Sequence, residues 1–130
     1  MIREVATKQA PAAIGPYAQA VKVGEMIYTS GQIALTPEGT MVEDDIELQT
    51  AQVLKNLEMV LEAAGSSLQH VVKTTVYLTD MGDFLKMNAV YERFMAGHRP
   101  ARATVEVSAL PKNARVEIEC IAVEEPHIPG

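Results

Sequence analysis

The chain has 130 residues, which suits a single domain, 1–130, whose core needs no disulfide or metal ion to hold it together. Its one cysteine, Cys120, excludes an internal disulfide, and its three histidines lie too far apart for zinc-ligand spacing, so no metal site is expected. The net charge of −6 disfavours nucleic acid, whose phosphates attract clustered lysine and arginine, and favours a small-molecule partner.

A β-hairpin and then an amphipathic helix are predicted in the first half of the chain. The hairpin consists of Ala18–Val23 and Met26–Ser30, which flank Gly24-Glu25 at the turn. From about Asp45 to Ala64, apolar residues recur at helical spacing, at Val53, Leu54, Leu57, Val60, Leu61 and Ala64. Gly65 is placed to end this helix, because glycine tolerates the left-handed backbone found there.

A strand and a second helix follow. The segment Val71–Leu78 is rich in β-branched and aromatic residues, which predicts a strand. The second helix runs from about Asp83 to Ala96, and one of its sides carries Phe84, Met87, Tyr91, Phe94 and Met95. Gly97 stops this helix, and Pro100 prevents it from restarting.

The last two predicted strands alternate in side-chain character. In Arg102–Val107, the face opposite the alanine and valines carries Arg102, Thr104 and Glu106. In Arg115–Val123, one face carries Val116, Ile118, Cys120 and Ala122, which predicts that Cys120 is a core residue. The opposite face carries Arg115, Glu117, Glu119, Ile121 and Val123. Residues 125–130 include two prolines and are expected to be irregular.

These elements predict an α+β fold in which two helices pack on one face of a mixed sheet. The other face is expected to mix polar and apolar side chains: Lys73, Thr75, Tyr77, Arg102, Thr104, Glu117, Ile121 and Val123. Because the two helices cannot also cover this face, it is expected to meet another subunit, which predicts a homo-oligomer.

Neither a membrane segment nor a secretion signal is expected. The first residues contain no apolar stretch of the kind found in signal peptides. No run approaches the roughly 18 consecutive apolar residues that a membrane helix needs. The expected compartment is therefore the cytoplasm.

Five segments form a specific pattern that spans nearly the whole chain. They are AAIGPYAQA at 12–20, SGQI at 30–33, VKTTVYL at 72–78, Asp83-Phe84 with Asn88 and Tyr91, and PARATVEVSAL at 100–110 followed by VEI at 116–118. In this order they resemble the motifs of the RidA (YjgF-like) family, the reactive-intermediate deaminases that act on imines and enamines.

The resemblance implies a chorismate-mutase-like fold that assembles as a homotrimer, with sites in the clefts between subunits. It also implies an activity, the hydrolysis of 2-iminopropanoate and 2-iminobutanoate to 2-keto acids and ammonia. Pyridoxal-phosphate enzymes release these imines, and the deaminase itself requires no cofactor. Family members that lack the equivalent of Arg102 do not show the activity, so this chain resembles the active branch.

Arg102 and Glu117 are the expected catalytic residues. The guanidinium fork of Arg102 matches the planar carboxylate of an imino acid with two parallel hydrogen bonds. Taken alone, a strand arginine would more commonly pair with an acid such as Glu106, and the full motif favours the ligand. A carboxylate in a partly desolvated cleft suits the base that activates water for C=N hydrolysis. Taken alone, Glu117 could equally be one of several surface acids.

Five further residues are expected to contact the substrate: Tyr17, Ser30, Gly31, Asn88 and Thr104. Tyr17 could form a wall of the site, and Gly31 could bring its N–H close to a ligand because it has no Cβ. Ser30 could contribute its hydroxyl or its main chain, whereas Asn88 could instead be a packing residue that orients its neighbours. Thr104 stands where many relatives carry cysteine, so thiol-based reactivity is not expected here.

Three other functions stay open at this point. The first is non-catalytic binding of 2-keto acids or similar carboxylates in the same clefts. The second, ribonuclease or translation-inhibitor activity, is disfavoured by the acidic charge and by the absence of a basic stripe. The third is a partner-binding role through the surface of the trimer.

Overall fold

The computed structural model describes residues 1–126, which form one six-stranded sheet and two helices. The strands are β1 (Ile2–Val5), β2 (Ala20–Val23), β3 (Met26–Thr29), β4 (Val71–Leu78), β5 (Ala101–Glu106) and β6 (Val116–Val123). The helices are α1 (Ile46–Ala63) and α2 (Phe84–Met95). Single 3₁₀ turns occupy Leu68–His70, Met81–Asp83 and Pro111–Asn113. The predicted irregular end spans 125–130. Its last four residues, 127–130, which include His127, lie outside the described residues.

The sheet has the strand order β1-β2-β3-β6-β4-β5, and β4 pairs with β5 in parallel while all other neighbours are antiparallel. Parallel neighbours need a crossover connection, which α2 provides between β4 and β5. The register pairs Thr74 with Arg102 across β4 and β5, and Tyr77 with Glu117 across β4 and β6. This register decides where the candidate site residues lie.

Helix α1 begins at a capping side chain and is followed by a glycine turn. The side chain of Asp45 caps α1 by accepting a hydrogen bond from the N–H of Leu48 at 2.8 Å. After α1 the chain turns at Gly65, whose φ of +84° is in the left-handed region. One stripe of each helix is buried against the sheet, and the core includes Ile27, Leu54, Leu57, Leu61, Val76, Met87, Val90 and Ile118.

The predicted α+β class is confirmed, and both predicted helices agree with the observed ones to within one residue at each end. The prediction that Cys120 is a core residue is also confirmed, and burial raises the pKa of its thiol to about 12. Strand β1 was not predicted. Three of its four residues are exposed on an edge strand, so it has no alternation of buried and exposed side chains that a sequence could reveal.

One prediction about the sheet is wrong. Arg102 and Thr104 were expected on the same face as Tyr77 and Glu117, but they lie on the opposite face, the one that α2 covers. The parallel register is the reason: Arg102 pairs with Thr74, which is buried beneath α2, whereas Glu117 pairs with Tyr77 on the open face. Alternation within each strand was predicted correctly. Alternation alone, however, does not tell which side chains of β5 lie on the same face of the sheet as Glu117 in β6.

Candidate active site

Arg102 is held on β5 by three side chains of α2. Its Nη1 donates a hydrogen bond of 2.6 Å to the amide oxygen of Asn88. Its guanidinium carbon lies 4.8 Å from the ring centroid of Tyr91 and 5.5 Å from that of Phe84, distances at which a cation is attracted to the face of an aromatic ring. These contacts fix the plane of the guanidinium while leaving Arg102 exposed to solvent.

The three partners of Arg102 share one side of α2 because Phe84, Asn88 and Tyr91 are spaced i, i+4 and i+7. Tyr91 is itself fixed, since its hydroxyl lies 2.7 Å from the hydroxyl of buried Thr74. Burial raises the pKa of Tyr91, so its ring is neutral where it meets the arginine. Arg102, Asn88, Phe84 and Tyr91 are called the Arg102 group below.

Glu106 does not pair with Arg102, although a pairing of that kind was the structural alternative for the arginine. The carboxylate of Glu106 accepts a hydrogen bond of 2.7 Å from the backbone N–H of Met81, in the turn that precedes α2. Glu106 therefore anchors the start of the helix that carries the Arg102 group. Among residues 1–126 the side chain of Arg102 donates only to Asn88, which takes one of its five N–H groups, so donors remain for a ligand.

The outer edge of β5 adds backbone donors to this group. The N–H of Val107 donates to the carbonyl oxygen of Leu78 at 2.8 Å. The backbone N–H and C=O groups of successive strand residues point to opposite sides of the strand. Since the N–H of Val107 faces β4, the backbone groups of Arg102 and Thr104 point away from β4. Within residues 1–126 no strand pairs with this edge. A guanidinium fork beside free backbone N–H groups is a suitable receptor for a carboxylate.

Thr104 can offer a ligand its backbone but not its hydroxyl. Its Oγ1 is buried and has no hydrogen-bond partner among the described residues. The rest of the chain covers this oxygen, so a molecule at the outer edge of β5 meets the main chain of Thr104.

A cleft of about 550 Å³ opens beside the Arg102 group. It is lined by Asn88, Tyr91, Glu92, Met95, Gly97, His98, Arg99, Pro100 and Arg102. It is called the Arg102 cleft below. Its volume is within the range of sites that bind small molecules.

Glu117 belongs to a second group of residues, on the open face of the sheet. A Cβ atom on Gly31 would overlap the carboxylate of Glu117, so only glycine allows the chain to pass this close to the acid. Burial raises the pKa of Glu117, and the negative charge of Glu119 raises it further. Glu119 in turn accepts a hydrogen bond of 3.0 Å from the hydroxyl of Tyr77. A half-buried carboxylate with a raised pKa is a stronger base than an exposed one.

Tyr17 and Ser30 lie near Gly31 in the chain fold. Tyr17 is 55% exposed, and it lines a cleft of about 350 Å³ together with Ile14, Gly31 and Lys112. Ser30 is a structural tie, because its hydroxyl donates to the carbonyl oxygen of Ala18 and its N–H donates to that of Gln19. Glu117, Gly31 and Tyr17 are called the Glu117 group below.

The two groups do not meet within one chain. Two strand spacings across the sheet and three residues along it place the Cα atoms of Arg102 and Glu117 roughly 14 Å apart. Their side chains also point to opposite faces of the sheet. No molecule of the size of a short imino acid can touch both in a single chain.

The sequence did not reveal the aromatic partners of Arg102 or the contact between Tyr77 and Glu119. The i, i+4, i+7 spacing of Phe84, Asn88 and Tyr91 was a usable signal, since a crossover helix covers one face of the parallel strand that follows it.

Within residues 1–126 no three His, Cys, Asp or Glu side chains cluster as metal ligands. In the same range, neither helix has the length and apolar character needed to span a bilayer.

The family model described as Endoribonuclease L-PSP matches residues 7–124. A curated 2-iminobutanoate/2-iminopropanoate deaminase of Mus musculus is 51% identical over 130 residues, which cover 98% of this chain and 96% of that protein. A RutC family protein of Pyrococcus abyssi is 51% identical over 127 residues, which cover 96% of this chain and all of that protein.

Solved structures agree with these sequence matches. The crystal structure of Escherichia coli TdcF with bound serine superposes with a TM-score of 0.90 at 41% sequence identity. The match covers 95% of this chain and 99% of the TdcF chain. The similarity therefore extends over nearly the whole chain.

Proposed function

This chain belongs to the Endoribonuclease L-PSP family, the RidA or YjgF-like proteins, and we propose that it hydrolyses 2-imino acids to 2-keto acids and ammonia. The substrates proposed are 2-iminobutanoate and 2-iminopropanoate, which the curated relatives are named for. The observation that carries the proposal is the fork of Arg102, fixed by Asn88 and Tyr91 beside free backbone N–H groups, because every 2-imino acid presents a carboxylate.

In the proposed reaction Arg102 binds the carboxylate and so orients the adjacent C=N carbon. Glu117 takes a proton from water as the oxygen attacks that carbon, which gives a tetrahedral carbinolamine. Water adds to the protonated C=N group, so the carbinolamine carries a neutral amino group, and Glu117 returns its proton to that nitrogen. The C–N bond then breaks and ammonia leaves, while the hydroxyl group releases its proton to water as its oxygen forms the C=O bond of the keto acid. A general base of this kind contributes about 10²- to 10⁴-fold to the rate. The reaction consumes one water and needs no redox partner or cofactor.

The distance between the two groups leads to the second part of the proposal. Since Arg102 and Glu117 are roughly 14 Å apart on opposite faces, we propose that the Arg102 group of one copy and the Glu117 group of another form each site. The open face presents partly exposed Tyr28 and Ile121, which a second copy would cover. A closed homotrimer with three such sites is the assembly proposed.

Ribonuclease activity, which the family description mentions, has no support in the charge of this chain. The proposed ligand is a small imino or keto acid, and the cytoplasm stays the predicted compartment. Non-catalytic binding of 2-keto acids is the alternative that an experiment has to separate from catalysis, because the Arg102 group could bind a carboxylate without help from Glu117.

The test measures keto-acid release from an imine formed in situ, when a pyridoxal-phosphate dehydratase acts on L-threonine or L-serine. Wild type should accelerate release above the spontaneous rate, and Arg102→Ala should abolish the acceleration. Glu117→Gln should also abolish it while still binding 2-ketobutanoate, as measured by calorimetry. If folded wild type binds 2-ketobutanoate but never accelerates release, the chain is a carboxylate-binding protein and the deaminase proposal is wrong.

A further inference from the structure

The Arg102 cleft extends well beyond the carboxylate receptor, and its charged residues are mostly basic. Besides Arg102, its charged residues are Arg99 and a single acid, Glu92. A substrate as small as 2-iminopropanoate would occupy only the end of the cleft near Arg102. The rest of the cleft wall therefore faces the side chain that a 2-imino acid carries on its C=N carbon.

Arg99 is presented from a fixed loop. The chain leaves α2 through Ala96 (φ +49°) and Gly97 (φ +90°), both in the left-handed region. The backbone N–H of His98 then donates to the carbonyl oxygen of Met95 at 3.0 Å, and its ring Nε2 donates to that of Val71 at 2.7 Å. The loop is thus tied to both α2 and β4 immediately before Arg99.

The guanidinium of Arg99 is exposed and available. Within residues 1–126 it forms no ion pair and no side-chain hydrogen bond. It is three residues from Arg102, so their Cα atoms are at most about 11 Å apart. Two long arginine side chains that line the same cleft from this separation can contact the two ends of one short diacid.

We propose that the Arg102 cleft admits 2-imino acids with a second carboxylate, the imines of acidic amino acids, and that Arg99 binds this second carboxylate. This inference rests on the proposed deaminase function and names a substrate class for the same site. Arg102 holds the carboxylate next to the C=N carbon, as it does for a monoacid. The distal carboxylate lies along α2 toward Arg99. The bond changes are unchanged: water adds, ammonia leaves and a dicarboxylic keto acid forms.

The experiment compares two imines made by flavin oxidases, 2-iminopropanoate from D-alanine and 2-iminoglutarate from D-glutamate. Catalase removes the peroxide, and semicarbazide traps the imine that has not yet been hydrolysed. The quantity measured is the ratio of kcat/KM for the diacid to kcat/KM for the monoacid. Arg99→Gln should lower this ratio about ten- to hundredfold, the loss expected for one or two charge-assisted hydrogen bonds. Arg99→Lys should restore part of the ratio, because the positive charge returns without the planar fork.

Arg93→Gln is the matched control, since Arg93 is an exposed arginine in the last turn of α2 that does not line the cleft. It removes the same charge from the same region and should leave the ratio unchanged. An unchanged ratio in Arg99→Gln would overturn the inference, as would a wild type that accelerates hydrolysis of 2-iminopropanoate but not of 2-iminoglutarate. A folded wild type that accelerates neither imine would overturn the proposed function together with this inference.

Discussion

Replacing Asn88 with aspartate should reduce activity much more than removing its side chain with alanine. The amide oxygen of Asn88 accepts a hydrogen bond of 2.6 Å from Nη1 of Arg102. Aspartate keeps an acceptor at the same place, so the arginine should hold its position. The new negative charge, however, competes with the substrate carboxylate for the same guanidinium, and the two carboxylates repel each other.

The expected losses of kcat/KM in the two variants depend on how exposed the Asn88–Arg102 pair is to solvent. Asn88→Ala loses one hydrogen bond to a charged group at a partly exposed position, which is worth about 1–1.5 kcal/mol, or roughly tenfold in kcat/KM. In Asn88→Asp, a second carboxylate stands about 4–5 Å from that of the substrate. Repulsion there is worth about 3–4 kcal/mol at the dielectric typical of a protein surface, and solvent screening reduces it to about 2–3 kcal/mol. The expected loss is therefore roughly 30- to 150-fold.

The assay is the steady-state kcat/KM for imine hydrolysis in wild type, Asn88→Ala and Asn88→Asp. Thermal unfolding of each variant serves as a control that the fold and the assembly are intact. The difference between the two variants should shrink at high salt, because screening weakens the repulsion. An Asn88→Asp enzyme as active as the alanine variant, or as wild type, would show that Arg102 does not bind the substrate carboxylate beside Asn88.

Three further results are expected. Burial is the larger cause of the raised pKa of Glu117 and the charge of Glu119 the smaller, so Glu119→Gln should lower that pKa. Because the base must be ionised to act, the acidic limb of the pH profile of kcat/KM should move to lower pH. An unmoved limb would contradict the role of Glu119. Gly31→Ala forces the carboxylate of Glu117 to shift and should lower kcat about 100-fold in a folded protein, whereas near-normal turnover would mean that the position of Glu117 is unimportant. Leu57→Ala should lower the free energy of unfolding by about 2–5 kcal/mol in urea titrations, because Leu57 is 1% exposed in the core; a loss below 1 kcal/mol would contradict the packing described.

Periodicity alone was enough to predict the secondary structure that carries the core. The stripe that includes Leu54, Leu57 and Leu61 marks α1, since those positions face the sheet at every turn. Strand β1 lacks such a signal because it pairs with β2 at the edge and buries only Val5. The order of strands in the sheet is likewise not encoded locally, because it depends on long-range pairing.

Which residues belong to the candidate site stays a prediction of the sequence motif, and their arrangement could not be predicted from the sequence. The motif around Arg102 and Glu117 identified both side chains, and alternation placed each correctly within its own strand. The relation between the two strands depends on β4, which lies between them and is parallel to one and antiparallel to the other. That relation puts the two side chains on opposite faces and makes a site shared between copies a structural requirement of the proposed mechanism.

The most direct test of this account mixes two inactive variants, Arg102→Ala and Glu117→Gln. The variants are unfolded together in equal amounts and refolded, so that mixed assemblies form, and imine hydrolysis is then measured. If each site takes Arg102 from one copy and Glu117 from another, about a quarter of all sites in randomly assembled trimers contain neither substitution. A shared site predicts recovery of about a quarter of wild-type activity. Refolded wild type regaining full activity while the mixture stays inactive would contradict a shared site.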